Sequence, residues 1–339
     1  MNDSSRPSIL VMGTGSVGGF VGGGLAAAGA DLSFVARPRM LGALRQHGLH
    51  LTDLDGRDTR LAPSVLQLHT HIPEGLQPAL VLLCVKSGAT AEAAGELARM
   101  LPAGTPVLSL QNGIGNAALG ARVAPELVWL PGMVPYNIAE LGPGRLHRGT
   151  AGQLAAQRHL VLEALVPTFE QAGLPLRLHD DLAPVQWAKL LMNLNNPVNA
   201  LSGLPLRAQL LDRGYRRVLA ALQQEALGVL AAAGIEPAQL GPVPPARMPA
   251  LLRLPTAVFR LLAARMLRID DKARSSMADD VALGKPTEID AICGAVVELA
   301  QSKGGQAPLA AGITTLVKGL GSGAPVQSSR ELLRALGLT

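Results

Sequence analysis

Aromatic side chains are scarce: four Phe, two Trp and two Tyr make up 2% of the 339 residues. The core must therefore rest on Leu, Ala and Val. No basic stripe interleaved with aromatics exists for stacking on nucleic acid. The two cysteines, Cys84 and Cys293, lie far apart, each in an apolar stretch. That spacing excludes a disulfide framework and a cysteine metal site, and free thiols in a reducing cytosol are the expected state. No uninterrupted apolar run is long enough to span a bilayer. The apolar stretch 8–36 imitates a signal peptide, but the leader Met1–Pro7 carries both Asp3 and Arg6. A soluble, cytoplasmic protein is expected, with neither membrane nor nucleic acid as partner.

What is present points to a folded enzyme-sized chain. Hydrophobic residues are 48% and charged residues 16%, the balance of a globular protein rather than a disordered one. The net charge of +5 is modest, with arginines scattered, and it suits an anionic cofactor and a small anionic substrate. The length exceeds one typical domain, so two are expected, 1–180 and 181–339.

The most informative segment is Gly13-Thr14-Gly15-Ser16-Val17-Gly18. It follows the apolar run Ile9-Leu10-Val11-Met12, leads into a helix through Phe20–Ala28, and is succeeded by a second strand at Leu32–Val35. A strand ending in GxGxxG uses its first glycine for the tight turn and its second for backbone approach to a pyrophosphate. The third allows close strand–helix packing, and the helix start offers amides and positive dipole. An NAD site would place Asp or Glu at the end of the second strand; here stands Val35-Ala36-Arg37-Pro38-Arg39, with Asp31 too early. Arg37 removes a repulsive charge and offers a fork to a 2′-phosphate, so NADP is the expected cofactor.

Further strands are predicted at Ala79–Val85, ending at Lys86, and at Pro106–Leu110, ending at Gln111-Asn112-Gly113, with a helix near Ala89–Met100 between them. Alternating strands and helices predict an α/β fold, a doubly wound parallel sheet of Rossmann type. Ligands of such sheets sit beyond the carboxyl ends of the strands, where Gly13–Gly18, Arg37, Lys86 and Asn112 all fall. After about residue 180 the pattern turns all-helical, with helices expected at Trp187–Leu201, Arg216–Ala233, Ala257–Arg268 and Ile289–Ser302.

Trp187–Pro197 carries a polar set in apolar surroundings. Lys189, Asn193 and Asn196 recur at i, i+4 and i+7 and would share one face of a continuous helix. A lysine flanked by amides in an apolar helix can bind and protonate a carbonyl, and partial desolvation would lower its pKa toward the working range. Pro197 cannot donate to the Asn193 carbonyl, so a kink is expected there. Further on, Ser276 reads locally as a helix cap and Thr287-x-x-Asp290 as a capping box with Glu288 near the positive helix end.

The ordered set GxGxxG, VK, QNG, WxKLxxN, SSM and TEID, over roughly residues 9–317, resembles the ketopantoate reductase (2-dehydropantoate 2-reductase) family. The resemblance implies an NADP-binding Rossmann domain joined to a helical domain, with the active site between them. It implies Lys189 as proton donor to a ketone and Asn112, Asn193, Asn196 and Ser276 as ligands of a 2-oxo acid. Lys86 and Glu288 would reach the cofactor with Gly13–Gly18, Asn112 and Arg37, no metal is called for, and a homodimer is expected. Two departures qualify it. Lys189 to Asn196 is one residue shorter than the family's spacing, so Asn195, Asn196 and Asn199 compete for one role. Pro131–Ile138 departs from the family's threonine-rich strand and is expected to face substrate, so Tyr136-Asn137 admits a different 2-oxo acid. The leucine-interleaved arginines 253, 260, 265 and 268 suggest a lid or dimer helix, or one lying on a membrane surface. A protein that senses NADP without turnover is the alternative from another class, and the retained lysine argues against it.

Overall fold

A computed structural model describes residues 7–264, 266–267 and 270–338. The chain divides into two compact units, Met1–Leu182 and Ala183–Thr339. The first opens with β1 (Ser8–Met12), α1 (Ser16–Ala27), β2 (Asp31–Val35) and α2 (Pro38–His47). Three short strands follow, β3 (Leu49–Asp53), β4 (Asp58–Leu61) and β5 (Gln67–His69). The alternation resumes with β6 (Leu80–Leu83), α3 (Thr90–Met100), β7 (Pro106–Ser109), α4 (Asn116–Val123) and β8 (Val128–Met133). The unit closes with β9 (Ile138–Gly142), β10 (Arg145–Arg148), β11 (Leu154–Gln157), α5 (Leu160–Gln171) and β12 (Leu176–His179).

Eight strands form one sheet in the order β12-β11-β8-β7-β6-β1-β2-β5, parallel except where β11 meets β8. Its central strands are mostly apolar, as in Ile9–Met12 and Leu80–Leu83, because both faces are covered. Ile9 and Val11 pack with Phe20, Val21 and Leu25 of α1, while Leu10 and Met12 pack with Ala93 and Leu97 of α3. Leu80 and Leu82 of β6 join the first core, Val81 and Leu83 the second.

A second sheet, β4-β3-β10-β9, has no counterpart in the sequence reading. It packs on α1, which is thus enclosed between two sheets. A Cβ on Gly22 would come within 2.7 Å of Phe34 and one on Gly19 within 2.8 Å of Leu146. Mid-helix glycine costs about 1 kcal/mol relative to alanine; here the steric alternative is worse.

The second unit is helical throughout its described secondary structure: α6 (Ala183–Asn193), α7 (Asn195–Ser202), α8 (Leu206–Leu211), α9 (Arg213–Ala232) and α10 (Met248–Arg253) come first. Then follow α11 (Thr256–Leu262), α12 (Ser276–Ala282), α13 (Ala295–Ser302), α14 (Pro308–Gly321) and α15 (Ser329–Ala335). The long α9 is the packing axis, touched by α7, α8, α10, α13, α14 and α15. Arg216 of α9 is fully buried, with no carboxylate hydrogen-bonded to it among the described residues. It donates to the carbonyls of Leu210 (2.9 Å), Leu252 (3.0 Å) and Leu254 (2.8 Å), and its guanidinium lies 4.2 Å from the Phe259 ring centre. Carbonyls left unpaired at the ends of α8 and α10 thereby solvate the cation.

The helix expected over Ala257–Arg268 is shorter, Thr256–Leu262, and is separate from α10. Pro249 and Pro255 set the two helix starts, and the residue before a proline disfavours helical geometry, so a single long amphipathic segment cannot form. Arg265 and Arg268 lie outside the described residues.

Candidate active site

In the first unit, β7, β6, β1 and β2 are consecutive neighbours, so Asn112, Lys86, Gly13–Gly18 and Arg37 follow adjacent strands along one edge. The three motif glycines are glycine for different reasons. Gly13 has φ +98°, and a Cβ there would lie 2.6 Å from the Val85 nitrogen. A Cβ on Gly18 would lie 2.3 Å from the Gly13 carbonyl oxygen. A Cβ on Gly15 would meet nothing within 4 Å. Gly13 and Gly18 are pressed by the protein itself, whereas the space over Gly15 is kept clear. There α1 starts with no side-chain cap and no acid in its first turn, leaving amides and positive dipole for an anion. Thr14 is buried, and its amide (3.2 Å) and Oγ1 (3.1 Å) both donate to the Val35 carbonyl, so it shapes the loop.

Arg37 is exposed just before α2, with no ion pair among the described residues. Arg39 stands 4.0 Å from Glu140. Asp31 occupies the opposite end of β2 and accepts from Gln67 Nε2 at 2.7 Å. No carboxylate from β2 therefore guards the Arg37 position.

A buried polar network, not foreseen from the sequence, joins the loops that carry Lys86 and Asn112. Gln111 accepts from Ser109 Oγ (2.9 Å) and donates to the Val85 carbonyl (3.0 Å) and to Thr90 Oγ1 (2.8 Å). Thr90 Oγ1 lies 3.1 Å from Asn116 Oδ1. The Asn112 carbonyl accepts from Ser87 Oγ and Asn116 Nδ2, each at 3.0 Å. The only hint in the chain is the Asn112/Asn116 spacing, which is indistinguishable from an ordinary loop followed by a helix.

In the second unit the kink expected at Pro197 is an interruption of one residue, Leu194, whose backbone stays right-handed helical (φ −60°, ψ −14°). The first helix, α6, ends at Asn193, Leu194 is a turn, and α7 begins at Asn195. Pro197 has no N–H for the Asn193 carbonyl, so the hydrogen-bond ladder is not continuous. Lys189 and Asn193 share α6, and Asn196 belongs to the start of α7. Lys189 is half-buried, and burial pulls its ammonium down from 10.5 to about 8. Asn193 is 8% exposed.

Asn199 is spent within the protein: its Nδ2 donates to the Leu204 carbonyl and its Oδ1 accepts from the Ser275 amide, both at 2.9 Å. Ser275 Oγ accepts from the Ala278 amide and donates to the Asn196 carbonyl, both at 3.2 Å. The cap that local sequence assigns to Ser276 thus belongs to Ser275, and Ser276 is exposed in the first turn of α12. The same bonds bring Asn196 and Ser276 onto adjoining turns. Asn195 points its Oδ1 into the interior, where it has no partner among the described residues.

One other expectation is corrected. The Thr287 capping box does not form. The chain enters a π-helical turn, Asp290–Gly294, without a side-chain cap, and Asp290 pairs with Lys318 at 2.8 Å. Half-buried Glu288 precedes that turn. Tyr136 is 7% exposed, edge-on to Phe20 at 6.4 Å between ring centres and beneath the Arg148 guanidinium at 5.0 Å, and its hydroxyl is buried with no hydrogen-bond partner among the described residues.

The glycine-bounded helix start on a parallel sheet, followed by a helical unit, defines a Rossmann-type dinucleotide-binding class. Two family models narrow it: "Ketopantoate reductase PanE/ApbA" matches residues 9–159 and "Ketopantoate reductase PanE/ApbA C terminal" matches 181–321. The chain belongs to the ketopantoate reductase family and is an oxidoreductase. It is 28% identical to a 2-dehydropantoate 2-reductase of Mesorhizobium japonicum over 343 residues, which covers 92% of this chain and 97% of that protein. A 2-dehydropantoate 2-reductase of Halobacterium salinarum is 29% identical over 317 residues, covering 91% and 97%. The crystal structure of a PanE/ApbA family ketopantoate reductase from Ralstonia eutropha JMP134 matches with a TM-score of 0.78 at 27% identity, covering 93% of this chain and 99% of that one.

Proposed function

We propose that the chain reduces a small 2-oxo acid with NADPH, specifically ketopantoate to pantoate, as a cytoplasmic enzyme of pantothenate biosynthesis. The observation that carries this reading is Lys189, an amine that burial brings to about 8 on the same helix as Asn193. At neutral pH it is protonated yet acidic enough to give its proton to a carbonyl oxygen as negative charge develops there. Asn112, Asn193, Asn196 and Ser276 offer N–H and O–H donors to the carboxylate and hydroxyl of the substrate, contributing mainly orientation.

The residues present fit a phosphorylated dinucleotide. Open space over Gly15, the uncapped start of α1 and the exposed Arg37 suit a pyrophosphate and a 2′-phosphate. Gly13–Gly18, Arg37, Lys86, Asn112 and Glu288 would hold it, and when bound it supplies the hydride. In this reading residues 1–180 bind NADP, and 181–339 bind substrate and pair two copies of the chain.

A panel of 2-oxo acids assayed for NADPH oxidation tests the proposal. Ketopantoate should turn over fastest. Tight NADPH binding with no turnover of any 2-oxo acid would make the chain a sensor instead.

A further inference from the structure

The break at Leu194 leaves the last turn of α6 short of partners. The Leu190 carbonyl still accepts from the Leu194 amide at 3.0 Å, but Asn193 faces Pro197, which has no hydrogen to give. Leu191, which lies between Lys189 and Asn193, is served from another element. Its carbonyl accepts from Gln223 Nε2 at 3.0 Å, in a buried bond from the packing axis α9.

Gln223 is 7% exposed, and its Oε1 is buried with no donor among the described residues. Only Nε2 can donate to a carbonyl, so the orientation of the amide is fixed by this one bond. A methionine would fill the same space and remove the unpaired Oε1, but it would leave the buried Leu191 carbonyl without its donor. What the amide provides, and an apolar side chain cannot, is a hold on α6 where the helix stops holding itself.

We propose that Gln223 is a positioning residue for the proton donor: its amide fixes the last turn of α6, so that Lys189 and Asn193 keep one arrangement toward α7. This rests on the reading of Lys189 as that donor. Without the bond, the Leu191 carbonyl must find water or recapture a following amide. Either event turns the end of α6 and hydrates the surroundings of Lys189. The amine, which burial lowers to about 8, would then move back toward 10.5.

The test uses Gln223→Met and Gln223→Glu in the full chain, with two readouts. The first is the pH dependence of acylation of Lys189 in the free protein, followed by peptide mass spectrometry. The second is kcat and its alkaline limb with ketopantoate. In Gln223→Met the Lys189 midpoint should rise by about half a pH unit or more. Its kcat should fall about tenfold while NADPH affinity is unchanged. Should Gln223→Met fail to fold, Gln223→Glu decides: its protonated form can donate to Leu191, so kcat should approach that of the parent at low pH and fall away as the carboxyl ionises. An unshifted Lys189 midpoint together with an unshifted kcat limb, with only the melting temperature lowered, would overturn the proposal. The acylation readout does not depend on turnover. If Lys189→Ala were fully active, the donor reading would fail while the positional claim on α6 would still receive its answer.

Discussion

The two units present their candidate residues in opposite ways. In the first, the backbone does most of the work: three glycines, an uncapped helix start and loops clamped by a buried amide network. In the second, side chains do it, on helices interrupted by a proline and tied by Ser275, Asn199 and Gln223. A backbone site is specified by short, local sequence, because only glycine satisfies a positive φ or a close contact. A side-chain site depends on where whole helices begin, stop and pack, which local sequence states poorly.

The largest expected effect lies in the second unit. Lys189→Ala should lower kcat by about a hundredfold or more, the scale of a general acid, with NADPH affinity nearly intact. Steady-state kinetics beside a fluorescence titration of NADPH would check this. If the loss in kcat only followed a loss in melting temperature, the two units would not differ in the way described.

Next comes cofactor choice in the first unit. Arg37→Asp should weaken NADPH far more than NADH, by about 2–4 kcal/mol, since a charge-assisted contact is lost and repulsion added. Equal weakening of both nucleotides, measured by titration, would remove Arg37 from the 2′-phosphate.

Glycine substitutions sharpen the contrast within the motif. Gly18→Ala must push its Cβ against the Gly13 carbonyl and should destabilise the fold by about 1–3 kcal/mol. Gly15→Ala meets no protein atom and should melt nearly like the parent, yet bind NADPH at least about tenfold more weakly through steric exclusion. Thermal melts and nucleotide titrations separate the two.

The smallest effect distinguishes neighbouring serines in the second unit. Ser275→Ala loses a cap and should cost about 1 kcal/mol of stability. Ser276→Ala should leave the melting temperature unchanged and raise the substrate KM. If both serines changed stability alone, Ser276 would have no place among the substrate ligands.

The first unit was largely legible. Continuous apolar strands announced a sheet covered on both faces, and Gly13–Gly18, Arg37, Lys86 and Asn112 fell at strand ends. The small sheet escaped because its strands are four or five residues long with polar positions throughout, as in Arg145–Arg148. Its presence was recorded only indirectly, in the glycines of α1 that it crowds. In the second unit Pro197 signalled an interruption but not its extent. Asn196 thus begins a new helix, just beyond the end of the one that carries Lys189. Ser275 and Ser276 are chemically identical in sequence, and only the partners supplied by α7 decide which one caps. Tyr136 packs beside Phe20, a contact that its place in the sequence does not reveal.

The most direct test of the account is the pH profile of kcat for the reduction of ketopantoate by NADPH. A donor must carry its proton, so turnover should be level below about 8 and fall as pH rises through that value, where Lys189 is deprotonated. Lys189→Ala should lose both the rate and that limb. A limb near the ordinary lysine value of about 10.4, or one unchanged in Lys189→Ala, would contradict the assignment of the buried lysine as proton donor.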